Sequence, residues 1–360
     1  MTDRDYMQLA LELARKAAGH VSPDPMVGAV IVNNGDIVGK GYYRSYGEPH
    51  AEAVAIREAG EKCKGATIYT TLEPCCHHGK NPPCADAIIR AGITRVVSSI
   101  ADPNPKVNSG GFARLKKAGI EVERGLLAEE ATVLNESFLK WVVSRLPFVV
   151  VKLAQTLDGR TAQPDGVSKW ITGQESRDEV HRLRAEYDAV VVGANTVRLD
   201  NPSLTVRNVE GRNPKRIVVG GSSPLPADAT LFSDEFKENT ILAYSKANAS
   251  LFEKIDGVSK WEIDGSPDGT LRLIQLLMKA GEQRISSVLV EGGSRLVSSL
   301  FVHKLVDKML VFVAPSLLGC GISSVSDLGF ETLRRTIKLE LVKYKQFGDD
   351  MLVSGYPVWR

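Results

Sequence analysis

The stretch EPCCHHGKNPPC, residues 73–84, holds three of the chain's five cysteines and two of its six histidines. It follows ATIYTTL, whose β-branched and aromatic residues read as a strand. It runs into CADAIIRAG, which reads as a helix opening at Cys84. Upstream, PHAE at residues 49–52 opens another predicted helix, from about His50 to Ala59. His-x-Glu followed by Pro-Cys and a second Cys is the signature of zinc deaminases.

Each part has a chemical reason. A catalytic zinc takes three protein ligands and keeps a fourth position for water. One imidazole and two thiolates suit a borderline-soft ion. Glu52, two residues after His50, reaches the activated water without ligating and moves protons to the substrate ring and leaving amine. Two ligand sets satisfy the spacing. Cys75 with His78 leaves Cys84 unused. His50 with Cys75 and Cys84 is preferred, because Cys84 follows Pro83 at a helix start, where the dipole and unpaired N–H groups favour a thiolate. Cys76, His77 and His78 then belong to a solvated loop, and Lys80 on that loop suits an anionic substrate group.

Around this cluster, helices and strands alternate, and the alternation implies a sheet with helices on both faces. A helix is expected over about Asp5–Gly19, and a hairpin turns at Asn34-Gly35. Strands TRVVSSI and IEVERG flank a helix at FARLKKAG. Helical sequence, EEATVLNESFLKWVVSR, runs to Pro147, where the chain restarts as FVVVKLAQTLDG. Two α/β domains result, 1–146 and 147–360. Later strands are expected at YDAVVVG, KRIVVG, NTILAYS, ISSVLVEG and KMLVFVAP, with helices at ESRDEVHRLRAE, LRLIQLLMKAG and SRLVSSLFVHK. The tail LELVKYKQFGDDMLVSGY reads as a closing hairpin.

Over 360 residues, a net charge of +2 gives no general pull toward nucleic acid or membrane. No apolar run has membrane-spanning length, and the N-terminus is charged and helix-periodic, unlike a signal peptide. Few, clustered cysteines fit a reducing compartment, so a cytoplasmic protein with a small-molecule substrate is expected. No G-x-G-x-x-G follows the first strand of the second domain, so a Rossmann fingerprint is absent. There, Gly292-Gly293 before a helix suits phosphate approach. Lys152 inside an apolar strand is unusual: it has a chemical role or snorkels at the sheet end. Cys63, Cys320, His20, His181 and His303 read as bystanders.

The motifs PDPMVGAVIV, GEPHAEAVA, TLEPCCHHGKNPPC and DPNPKVNSGG resemble those of the bifunctional deaminase–reductase of riboflavin biosynthesis. The second half resembles the reductase part through VKLAQTLDGRTA, SKWITG, VVVGANTVRLDNPSLTVR and VLVEGGSRL. The resemblance implies a cytidine-deaminase-like three-layer α/β/α domain followed by a dihydrofolate-reductase-like α/β domain. It implies Zn2+ and NADPH as cofactors, and deamination of a phosphoribosylaminopyrimidine followed by reduction of its ribosyl group. Carried over by position, Lys80 contacts the substrate phosphate and Asn104 lies at the pocket. Ala154, Trp170, Thr196, Asp200, Ser222 and Gly293 touch the cofactor. Ser168, Arg184, Leu204, Arg207 and Glu291 hold the substrate, with Arg184 and Arg207 suited to its phosphate. Lys152, Asp200 and Glu291 are the candidates to relay a proton to the sugar oxygen, Asp200 first among them. Two positions depart from the family pattern. Asp24 stands where Pro-Asn-Pro is usual, and Tyr43 where a histidine is usual; both positions grip the pyrimidine.

Two rivals remain on the sequence. One is a nucleobase, nucleoside or transfer-RNA deaminase with an appended domain, which the neutral charge and the lysine-bearing loop disfavour. The other is a zinc-stabilised pyrimidine sensor without turnover. A homo-oligomer joined at exposed sheet edges is compatible with such domains.

Overall fold

The computed structural model describes residues 1–77, 82–105, 107, 110–265, 271–329, 332 and 336–359. The chain divides into two compact units, Met1–Arg145 and Leu146–Arg360.

Among the described residues, unit 1 holds a five-stranded sheet in the order β2-β1-β3-β4-β5. The strands are β1 (Gly28–Asn33), β2 (Asp36–Tyr42), β3 (Thr67–Leu72), β4 (Arg95–Ile100) and β5 (Glu121–Arg124). β1 is antiparallel to β2 and β3, while β3, β4 and β5 run parallel. The helices are α1 (Asp3–Arg15), α2 (Ala51–Ala59), α3 (Cys84–Arg90), α4 (Gly110–Lys117), α5 (Ala128–Leu134) and α6 (Glu136–Ser144). Alternation along β1 builds the layers. Ala29 and Ile31 pack with Ala51 and Ala55 of α2 and Ile88 of α3. Val30 and Val32 pack on the other face with Met7, Ala10 and Leu11 of α1. The hairpin turns where expected: Asn34 and Gly35 have φ of 51° and 86°, the pair of positive values a tight hairpin turn requires.

The segment expected as one helix before Pro147 is two. Asn135 breaks it, because its side chain is used elsewhere. Its Oδ1 accepts from the Met26 N–H at 2.8 Å, and its Nδ2 donates to the Met26 carbonyl at 3.0 Å. That clamp fixes the backbone leading from Asp24 into β1.

Among the described residues, unit 2 is built on a nine-stranded sheet in the order β11-β10-β9-β8-β12-β6-β13-β16-β15. Its strands are β6 (Phe148–Thr156), β8 (Ala189–Gly193), β9 (Lys215–Val219), β10 (Thr240–Ser245), β11 (Ser259–Ile263), β12 (Ser287–Val290), β13 (Lys308–Ala314), β15 (Lys338–Phe347) and β16 (Asp350–Val358). β7 (Arg160–Ala162) and β14 (Ile322–Ser323) form a separate short pair. Strands from β11 to β13 are parallel, and the closing hairpin β15–β16 adds antiparallel strands. The helices are α7 (Gln174–Glu186), α8 (Ala194–Asp200), α9 (Thr230–Ser233), α10 (Leu273–Glu282) and α11 (Ser294–Val302). The inner strands are covered on both faces. Val150, Val190 and Leu289 face one core, and Val149, Val151 and Val191 face the other. This is why they read as unbroken apolar runs. β11 and α8 escaped the sequence reading. β11 is an edge strand with one buried residue among five, and α8 is seven residues long.

Backbone packing is close under the helix that starts at His50. A Cβ on Gly39 would sit 2.3 Å from the Ala55 carbonyl oxygen, and one on Gly41 would sit 2.3 Å from that of Ala51. Only glycine lets β2 approach α2 so closely. Gly41→Ala is therefore expected to destabilise unit 1 by about 1–3 kcal/mol. Scanning calorimetry should show the unit 1 transition moved down, with the unit 2 transition in place.

Candidate functional site

In unit 1, three helix starts meet beyond the carboxyl ends of β3 and β4. His50 is the N-cap of α2, and Cys84 is the first residue of α3. Cys75 follows β3. The His50 Nδ1 lies 3.6 Å from the Cys75 Sγ and 3.3 Å from the Cys84 Sγ. Among the described residues, these three form the one group of His, Cys, Asp or Glu side chains close enough to share an ion. The donor set fits zinc, since tetrahedral bonds to nitrogen and sulfur separate such ligands by about 3.6 Å. His78, the alternative ligand, and Lys80, expected at a phosphate, lie outside the described residues.

The electrostatics refine the expectation for the cysteines. The backbone N–H of Cys84 donates to the Cys75 Sγ at 3.3 Å, so the start of α3 stabilises the Cys75 thiolate rather than that of Cys84. A hydrogen bond from the Cys84 thiol, with His50 adding to it, holds the Cys75 pKa down. The same hydrogen bond pushes Cys84 up. A zinc ion held here would favour the thiolate form of both cysteines.

Glu52 is 3% exposed on the first turn of α2. Burial raises its pKa, and the Cys75 thiolate adds to the rise. A carboxyl so raised holds its proton more tightly than a free glutamate does. The frame comes from Glu73, a buried carboxylate that accepts N–H groups of Gly111 at 3.0 Å, Phe112 at 3.2 Å and Asp102 at 3.2 Å. It pins the segment before Cys75 to the start of α4.

Beside these groups opens a cavity of about 350 Å³, lined by Asp24, Tyr43, His77, Asp102, Asn104 and Phe138, among others. The two unusual residues touch: the Tyr43 hydroxyl donates to Asp24 Oδ2 at 3.0 Å and accepts from the Gly47 N–H at 2.6 Å. His77 is not on a solvated loop. It lines the cavity, and its Nδ1 is buried with no hydrogen-bond partner among the described residues. Asp102 was missed. It is 7% exposed, and its pKa is pushed up to about 6 by burial, with Glu73 contributing. Its signal was the DPNP turn, from which only Asn104 was read; the Asn104 N–H donates to Asp102 Oδ1 at 2.8 Å.

In unit 2, the expected residues gather at the carboxyl ends of parallel strands, where such sheets bind ligands. α8 follows β8, Gly293 caps α11 after β12, and Ser222 lies beyond β9. A Cβ on Gly293 would lie 3.7 Å from the Thr196 Oγ1, so these two residues share one turn-to-helix corner. Ala154 is half-buried in β6. Trp170 is 70% exposed, with the Arg177 guanidinium 4.8 Å over its ring. Asp200, at the end of α8, accepts from the Ser168 hydroxyl at 2.9 Å.

Lys152 does not snorkel. Its Nζ lies 3.6 Å from Glu291 Oε2, and both side chains are largely buried. Arg184 is neither on a solvated face nor open to a phosphate. Its Nε and Nη2 grip the two Glu291 oxygens at 2.6 and 2.9 Å. Burial would raise the Glu291 pKa, but Arg184 and Lys152 outweigh it and hold it at about 2. Burial lowers the pKa of Lys152, and Glu291 opposes the fall. Of the three, Lys152 is the group able to part with a proton. Arg207 is exposed, and its Nη1 donates to the hydroxyls of Ser203 and Thr205. Leu204 is buried with φ of 55°, so it shapes the loop from below.

Comparison with known proteins finds a family match in each unit. Residues 147–353 match the RibD C-terminal domain, and residues 1–100 match the cytidine and deoxycytidylate deaminase zinc-binding region. The chain is 43% identical over 353 residues to the riboflavin biosynthesis protein RibD of Aquifex aeolicus (strain VF5), covering 98% of this chain and 97% of that one. It is 40% identical over 365 residues to that of Escherichia coli (strain K12), covering 98% of each. Among solved structures, it is similar to Acinetobacter baumannii RibD, form 1, with a TM-score of 0.87, 38% identity and 99% of both chains covered. It is likewise similar to a diaminohydroxyphosphoribosylaminopyrimidine deaminase/5-amino-6-(5-phosphoribosylamino)uracil reductase from Thermotoga maritima, with a TM-score of 0.83, 38% identity and 99% of both chains covered.

The geometry of unit 1 makes a direct prediction. Competition with a zinc chelator should show one tightly bound zinc per chain. Cys84→Ser should weaken it by more than the roughly 10–100-fold that loss of an outer-shell partner costs. Unchanged affinity would transfer the third ligand to another residue.

Proposed function

Because the chain belongs to the RibD family of riboflavin-biosynthesis proteins, we propose that its two chemistries divide between the units, deamination in 1–146 and reduction in 147–360. The protein is a bifunctional deaminase and reductase that uses Zn2+ and NADPH. It deaminates 2,5-diamino-6-(5-phosphoribosylamino)pyrimidin-4-one and then reduces the ribosyl group to ribityl. Both rivals give way, the appended-domain deaminase to the second activity and the sensor to turnover.

The observation that carries the deaminase reading is the convergence of His50, Cys75 and Cys84 beside the buried Glu52. Those three residues hold zinc, with Glu52 as the proton carrier. When bound, zinc supplies Lewis-acid activation of water. Glu52 takes a proton from the attacking water, passes it to the ring nitrogen, and helps the amine leave as ammonia. Asp24, Tyr43, His77, Asp102 and Asn104 surround the ring and its ribose, and Lys80 takes the phosphate. Asp24, steadied by Tyr43, presents carboxyl oxygens, which suits a ring edge rich in N–H groups.

In the reductase, Lys152, Glu291 and Arg184 form the polar floor. NADPH, when bound, supplies hydride to the first carbon of the opened ribose. Lys152 gives the proton to the sugar oxygen, while Glu291 and Arg184 hold Lys152 in place. This replaces Asp200 as the first choice, because Asp200 Oδ1 already accepts a hydrogen bond from Ser168 and serves to order the corner where the cofactor lies. Arg207 takes the phosphate. Ala154, Trp170, Thr196, Ser222 and Gly293 line the cofactor's path.

Among the described residues, no helix is long and apolar enough to cross a membrane. The cytoplasm is the proposed location, given the cysteine usage, and no nucleic-acid partner is proposed. β15 is an edge strand with Leu341 and Tyr344 each 70% exposed. Such an edge favours pairing with a second copy of the chain.

Mass analysis of the diaminopyrimidine substrate tests the reading. Without NADPH, zinc-loaded enzyme should exchange one amine for a carbonyl; with NADPH, two hydrogens should be added as well. Lys152→Met should lower the reductive kcat by about 100-fold or more, leaving deamination intact. Addition of hydrogen at the wild-type rate by that variant would remove Lys152 from the proton role.

A further inference from the structure

The segment Ser203–Arg207 belongs to no helix or strand, so its backbone groups have no ladder partners. Side chains from other elements hold it instead. Arg216, 1% exposed and paired with Asp234, donates from Nη1 to the Ser203 carbonyl at 3.0 Å. Arg184 donates to the Thr205 carbonyl at 3.3 Å. The Val206 N–H donates to Asn213 Oδ1 at 2.7 Å. The last tie is to Arg207 itself, whose N–H donates to the Nδ1 of His181 at 3.4 Å. His181 is 6% exposed on α7, three positions before Arg184, and both residues reach the same loop.

We propose that His181 is a positioning residue of the reductase, fixing the backbone of Arg207 so that its guanidinium meets the substrate phosphate. The proposal rests on the reading that Arg207 binds that phosphate. Three of the four ties use groups that keep their protons across the working range. The fourth needs a bare Nδ1. A neutral imidazole offers one when its proton sits on Nε2, whereas an imidazolium offers donors at both nitrogens and turns one of them on an N–H.

The charged groups around His181 are Asp178 and Arg184 on α7, Arg207 on the loop and Glu291 beyond β12. Burial lowers the pKa of His181, and the charges of Arg184 and Arg207 lower it further, while Thr205 and Glu291 oppose. With a folded pKa below the ordinary 6.5, the ring is neutral at neutral pH and the tie is made. It is lost as pH falls through the lowered value.

The test uses the full-length, zinc-loaded enzyme and follows NADPH oxidation with 5-amino-6-(5-phosphoribosylamino)uracil. Arg207→Ala should raise KM with little change in kcat. His181→Leu should raise KM by about 3- to 10-fold, the worth of one hydrogen bond, and should add nothing when combined with Arg207→Ala. His181→Asn keeps an acceptor near the Nδ1 position and does not titrate there. It should restore KM at neutral pH and abolish the acid-side rise that the wild type shows relative to it. The unit 2 transition in scanning calorimetry of the same chains reports their folding. A raised KM in Arg207→Ala with none in His181→Leu would overturn the proposal alone, and an unchanged KM in Arg207→Ala would overturn the phosphate reading beneath it. Should His181→Leu fail to fold, an acid-side rise in His181→Asn equal to that of the wild type would overturn it.

Discussion

Both sites depend on one constraint of sheet architecture: at the carboxyl edge of parallel strands, each strand hands the chain to the start of a helix. A helix start carries unpaired N–H groups and partial positive charge. In unit 1, three such starts meet. α2 presents His50 and Glu52, α3 presents Cys84 and gives its first N–H to the Cys75 sulfur, and α4 gives two N–H groups to Glu73. Thiolate and carboxylate are what such a place stabilises. In unit 2 the same edge brings α8 and the Gly293 turn together, as suits the phosphates of a dinucleotide.

The two sites solve the cost of buried charge in opposite ways. Unit 1 limits its buried charge: the hydrogen bond between the two cysteines holds the Cys75 pKa down and pushes that of Cys84 up, and burial biases Glu52 toward its protonated form. The reductase keeps its charges and pairs them. Glu291 is ionised between Arg184 and Lys152, leaving a surplus of positive charge to which nearby Arg207 adds. Removing Glu291 would strand two buried cations, a loss of several kcal/mol. Its contribution is therefore as much to the fold of that corner as to the chemistry.

What was legible follows from how local each device is. His50, Glu52, Cys75 and Cys84 sit in short motifs on strand ends and helix starts, so spacing was enough to read them. The layered fold followed from the alternation of helices and strands along the chain and the unbroken apolar strands of unit 2. The partnership of Arg184 and Glu291 joins positions 107 apart, and that of Asn135 and Met26 joins positions 109 apart. No local pattern records either one. Arg184 looked like a phosphate ligand because a guanidinium suits a phosphate, and the carboxylate that already occupies it was out of sight. His181 looked like a bystander and His77 like a solvated-loop residue for the same reason: burial, not sequence neighbourhood, decides what an imidazole meets.

The central claim is that one chain carries two independent sites used in a fixed order. Mixing two inactive full-length enzymes tests it most directly. Glu52→Gln and Lys152→Met are each incubated with the diaminopyrimidine substrate and NADPH, alone and together, and ribityl product is measured. The account predicts none from Glu52→Gln, accumulated deaminated intermediate from Lys152→Met, and full product from the mixture. Reduced product from Glu52→Gln alone, or none from the mixture, would contradict it.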